Sequence, residues 1–108
     1  MKLRLHFLIV LLFTFFTSFS QVQTITNVGN TFSPDTVTIS LGDTVEFVLD
    51  TSHNAVEVDS NTWIINGINP LPGGFSFPSG IGTFSPTTAG THWYVCSPHA
   101  FMLSLIHI

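Results

Sequence analysis

One short stretch of the chain, Cys96-Ser97-Pro98-His99-Ala100-Phe101-Met102, holds a thiol, an imidazole and a thioether. Thiolate and thioether are soft ligands that suit Cu(I), and imidazole suits Cu(II) as well. Two histidines, one cysteine and a distant methionine make the trigonal set of a blue-copper site. This loop supplies one histidine, so the second must come from elsewhere. The candidate is His53 in Thr51-Ser52-His53-Asn54. The side-chain amide of Asn54 can tie its turn to the cysteine loop, as outer hydrogen bonds commonly do around metal ligands. The expected ligands are therefore His53, Cys96, His99 and Met102, around one copper ion.

Each residue also has a plainer reading. A single loop histidine is usually an exposed polar group, and a single cysteine is usually a small buried hydrophobe. Grouping is what favours the metal. Cys96 is the only cysteine, so no internal disulfide can staple the domain. An unpaired cysteine in an exported chain needs a reason, such as burial, a bridge to another chain, or a metal.

Export is expected from the front of the chain. Lys2 and Arg4 are its only basic residues, and Leu5 to Phe16 is almost unbroken Leu, Ile, Val and Phe. Ser18 and Ser20 are small residues placed for cleavage. This is the layout of a signal peptide over residues 1–20. The apolar run is shorter than the roughly 20 residues that span a bilayer, so no stable membrane insertion is expected afterwards. Cleavage after Ser20 removes two positive charges and takes the formal net charge from −4 to −6. The acids Asp35, Asp43, Glu46, Asp50, Glu57 and Asp59 would then dominate the surface. Nucleic acid is excluded as a partner, because its phosphates need Lys and Arg.

The elements that must position the ligands read as sheet. Thr36-Val37-Thr38-Ile39 and Thr44-Val45-Glu46-Phe47-Val48-Leu49 alternate, with Val45, Phe47 and Leu49 on one face. Asn54 to Val58 and Thr91 to Cys96 read as further strands. His53 thus follows one strong strand, and Cys96 ends another. His92 shares strand parity with Tyr94 and Cys96, so it is expected to face inward as a hydrogen-bonded residue rather than a ligand. Residues 60–82 are broken by Gly and Pro, with at most a helical turn near Trp63. Frequent turns and short strands predict a single all-β sandwich domain over 21–102.

With these residues in view, the chain resembles the cupredoxins, the plastocyanin and amicyanin group in particular. The resemblance rests on Phe32-Ser33-Pro34, Gly42-Asp43-Thr44-Val45, His53-Asn54, Gly90-Thr91, Tyr94 and Cys96-Ser97-Pro98-His99. It covers about residues 22–102. It implies a Greek-key sandwich, a type 1 copper held by His53, Cys96, His99 and Met102, and one-electron transfer. The expected partners are redox proteins that dock briefly near His99, and the expected state is a monomer. The protein is expected in the periplasm or secreted.

Two features depart from the family pattern. Some relatives read His-x-x-Met-x-Met, and the second position here is Ser104. After Met102 the family continues with Gly and a closing strand, whereas this chain reads Leu103-Ser104-Leu105-Ile106-His107-Ile108. Those residues are what a transposon-end sequencing adapter encodes in frame. Residues 103–108 are therefore expected to be a non-native tail, with the final strand missing or atypical and the sandwich short of one edge.

Two other functions remain open from sequence. One is a copper-binding or adhesion module without a redox role. The other is a fragment of a larger copper oxidoreductase. Against an enzyme, Val95 and Ser97 flank Cys96 where multicopper oxidases place additional histidines, and a binuclear centre would need a second cysteine.

Overall fold

The computed structural model describes residues 19–108, apart from the side chains of 102 and 103. The signal peptide expected over 1–20 lies almost wholly outside the described residues. Among the described residues, no helix is long and apolar enough to cross a membrane.

Among the described residues, nine strands and one short helix follow one another. They are β1 Val22–Val28, β2 Thr31–Ser33, β3 Thr36–Thr38, β4 Thr44–Val48, β5 Ala55–Val58, α1 Ser60–Ile64, β6 Ser76–Phe77, β7 Ile81–Phe84, β8 Thr91–Cys96 and β9 His99–His107. One sheet has the order β2-β1-β4-β7 and the other β3-β9-β8-β5-β6. Strands β1 and β4 pair in parallel, as do β3 and β9. The remaining pairs are antiparallel. The expected all-β sandwich is the observed architecture.

The core lies between the sheets and follows the period of two. Ile25, Phe32, Val45 and Phe47 come from the first sheet, and Val37, Ala55, Tyr94, Cys96 and Ile106 from the second. Phe47 is the centre of an aromatic group. Its ring lies 5.4 Å from Phe75, 5.3 Å from Phe77 and 5.3 Å from Tyr94. Tilted and edge-on pairs of this kind add to simple area burial. The second sheet is covered on its other face too. Val56, Val58 and Val95 are buried outside the central cluster, and α1 packs against β8. Asp59 caps α1 by accepting the Thr62 N–H at 2.7 Å, a bond that lowers the Asp59 pKa. The Trp63 indole N–H reaches the Ser104 carbonyl at 3.0 Å.

The expectation that residues 103–108 leave the sandwich short of an edge differs from what is observed. The last strand is present, and it runs to His107. Leu105, Ile106 and His107 pair with Thr36, Val37 and Thr38, while Ile106 and Ser104 are buried. The alternation Ser104, Ile106 inward and Leu105, His107 outward suits a strand whatever its origin.

Tyr94 is fully buried, and its hydroxyl has no hydrogen-bond partner among the described residues. Burial pushes the phenol well above its ordinary pKa and outweighs the nearby Ser104 side chain. The Ser104 hydroxyl donates instead to the Asp35 carbonyl. A buried unpaired hydroxyl costs stability, so Tyr94→Phe should leave stability unchanged or raise it by up to about 1 kcal/mol. A urea midpoint lowered by Tyr94→Phe would mean that the hydroxyl is bonded after all.

Candidate metal centre

His53 is presented by the turn that follows β4. Its N–H donates to the Asp50 carbonyl at 3.0 Å. Asp50 is itself held to β1, taking an Asn27 amide N–H at 3.1 Å and giving its own N–H to Asn27 Oδ1 at 2.8 Å. The ligand turn therefore hangs from two strands of the first sheet. Gly80 presses against it from the other side. A Cβ there would lie 2.8 Å from the His53 carbonyl oxygen and 2.9 Å from Leu49 Cβ, and φ is +78°. Only glycine permits both the close approach and that backbone angle.

Cys96 and His99 come from the second sheet. The β8–β9 register shifts between Tyr94 and Cys96 before Cys96 pairs with His99. Such irregularities re-aim side chains at the end of a strand. Asn54 joins the two halves of the site, as expected. Its Oδ1 accepts the Ser97 N–H at 2.7 Å, and its own N–H points at Cys96 Sγ at 3.5 Å. The Asn54 backbone N–H and side chain thus hold the sulfur and the Ser97 backbone in one register.

The structure brings His53, Cys96 and His99 together. Cys96 Sγ lies 3.8 Å from His53 Nδ1 and 3.6 Å from His99 Nδ1. All three ligand atoms fall within 4.8 Å of one another. Two bonds of about 2.0 and 2.3 Å meeting at a trigonal angle put N and S roughly 3.7 Å apart. The sulfur–nitrogen spacings therefore fit a single ion between them. Cys96 and His53 are buried, whereas His99 is half-buried, with its ring 5.9 Å from that of exposed Phe101. Met102 lies on β9, three residues beyond His99, and its side chain is outside the described residues.

His92 faces inward, as its parity predicts, and its partner is Glu57, on another strand. Nδ1 lies 2.7 Å from Glu57 Oε2. Glu57 Oε1 accepts the Phe75 N–H at 3.2 Å. The expectation that all six acids line the surface is corrected here, because Glu57 is only 6% exposed. It shares the inward face of β5 with Ala55, and the imidazole takes the place of water.

No protein-family model matches the sequence, and neither does any curated protein. Solved structures do match. A purple cupredoxin from Nitrosopumilus maritimus is 23% identical, over 79% of this chain and 97% of that one, with a TM-score of 0.57. The fold is that of the cupredoxins. A pseudoazurin from Hyphomicrobium denitrificans is 27% identical, over 80% of this chain and 73% of that one, with a TM-score of 0.56. A Cu-containing nitrite reductase from Thermus scotoductus SA-01 is 30% identical, with a TM-score of 0.59. That match covers 79% of this chain but only 21% of the reductase. In this cupredoxin sandwich the His-Cys-His group sits where the β4–β5 turn meets the β8–β9 turn.

Proposed function

We propose that the chain binds one copper ion through His53, Cys96 and His99, with Met102 as a weak fourth ligand, and transfers single electrons between exported redox partners. The observation that carries this reading is one sulfur and two imidazole nitrogens converging at a largely buried point between two turns. The donor set fits copper in both oxidation states, with thiolate favouring Cu(I) and imidazole serving Cu(II). Bound there, the metal supplies a one-electron couple. The protein's own part is rigidity. Asn54 holds the two ligand loops in one register, so His53 and Cys96 keep their places in either oxidation state. The similar Cu-containing reductase supports the choice of metal.

His99 gives the electron its route. It is the least buried of the three, and beside it Phe101 is 62% exposed. An apolar rim of this kind suits brief docking, with less than about 1,200 Å² buried. The protein is proposed to be a monomeric carrier without catalytic residues. It is exported to the periplasm or beyond, and the leader is cleaved after Ser20. The test is the visible and electron paramagnetic resonance spectrum of the Cu(II) form, together with its self-exchange rate. A colourless copper complex would defeat the site, and a coloured one that does not exchange electrons would defeat the carrier role.

Met102 has its own test. Met102→Leu should leave copper bound and shift the reduction potential, since the axial ligand tunes it. An unchanged potential would assign the axial position to another group.

A further inference from the structure

The start of β1 carries an arrangement that the metal site does not use. The Gln21 N–H donates to Asp43 Oδ1 at 2.9 Å. The Gln21 carbonyl accepts the Thr44 N–H at 2.9 Å. The other oxygen of Asp43 takes the Ser40 N–H at 3.0 Å. Among the described residues, Gln21 is thus the first whose two backbone groups are both held by the fold. Phe19, just before it, is 83% exposed. Segments 19–21 and 40–43 face each other across a hollow open to solvent. We propose that Asp43 is a built receptor for the α-ammonium group released when the Ser20–Gln21 bond is cut. The proposal rests on the reading that the chain is exported and processed after Ser20.

The chemistry is simple. A leader peptidase adds water across the bond, leaving a carboxylate on Ser20 and an ammonium on Gln21. A neutral amide N–H facing a carboxylate becomes a cation facing it. Charge-assisted hydrogen bonds are roughly twice as strong as neutral ones. The change matters more here than in most proteins. No Lys or Arg occurs between Gln21 and Ile108, so within that stretch the new ammonium joins only the histidines as a possible cation. No Lys or Arg of residues 21–108 competes for Asp43. Glu46 of β4, at register with Thr24, is the next acid along this strand pair and has the same favourable sign. The Asp43 pKa is lowered, first by the Gln21 N–H and then by the Ser40 N–H, so the carboxylate is charged when the amine arrives.

A second consequence follows for the glutamine itself. An N-terminal glutamine cyclises when its amine nitrogen attacks its own side-chain amide carbon, forming a lactam C–N bond and releasing ammonia. Only the unprotonated amine can attack. Asp43 stabilises the protonated form and holds it along β1, so it should slow this loss.

The experiment uses the full chain, exported and collected after processing. Mass spectrometry first reads the N-terminus. A start other than Gln21 overturns the cleavage reading. For chains that begin at Gln21, the α-amine is titrated by NMR at low salt. Its pKa should lie about one unit above the ordinary value of roughly 7.7–8.0, and the shift should shrink in high salt. Asp43→Asn should return it to the ordinary value and speed the loss of ammonia. An ordinary pKa in the unmodified chain overturns the receptor even when cleavage is correct, and this readout does not depend on whether Asp43→Asn folds. Equal cyclisation rates in the two proteins would overturn the protective role.

Discussion

Cys96→Ser should give a folded protein whose Cu(II) form has lost its colour completely. The intense visible band of a blue-copper site arises from charge transfer between thiolate sulfur and Cu(II), and Cys96 is the only thiol in the chain. No other group can supply that transition. The fold should survive because the exchange is nearly isosteric and the new hydroxyl is not stranded. Its neighbours are two imidazole nitrogens at 3.8 and 3.6 Å from the present sulfur and the Asn54 N–H at 3.5 Å. A hydroxyl with partners costs about 1 kcal/mol to bury, not the several of an orphan. Copper affinity should also fall, because the soft anionic donor has gone. His53→Ala makes the informative contrast. The thiolate remains, so colour should persist in altered form while the site gains an open position. Retention of the wild-type band in Cys96→Ser would mean that copper is not bound at this sulfur.

Much of this candidate site is legible in the sequence, and the reason is local. Cys96, His99 and Met102 fall within seven consecutive residues, and His53 is marked by the Asn54 that follows it. Each signal depends on neighbours in sequence. The strand faces were readable for the same reason, since Val45, Phe47 and Leu49 follow a period of two. What stayed hidden depends on distant pairs. Gly80 reads as one more chain breaker among residues 60–82, yet its missing side chain lets that loop rest on the His53 carbonyl. Glu57 reads as a surface acid until His92, on another strand, is found beside it. Only the parity shared with Ala55 could have pointed it inward, and parity alone does not supply the partner. The last strand was obscured by an unfamiliar ending, although Ser104 and Ile106 alternate with Leu105 and His107 as a strand should.

Breaking the buried Glu57–His92 pair should cost the domain substantial stability. In a described domain without Lys or Arg, histidine is the only side chain that can offset a buried carboxylate. His92→Phe keeps the edge-on ring contact with Phe84, now 5.0 Å between centroids. It leaves Glu57 buried with the Phe75 N–H alone. Breaking one side of a buried pair typically costs about 3–5 kcal/mol. The low end, about 3 kcal/mol, is expected because the His92 side chain is 18% exposed and the gap can admit water. Glu57→Met should cost less, about 1–2 kcal/mol, because an imidazole near solvent tolerates losing one hydrogen bond. The double variant decides between an ion pair and simple packing. If the pair matters as a pair, Glu57→Met with His92→Phe should be no worse than Glu57→Met alone, since no stranded charge remains. The three variants should be compared by urea midpoint in copper-free protein, so that metal binding to the folded state does not mask the differences. Strict additivity of the two single losses would show that Glu57 and His92 act independently, each through its own packing.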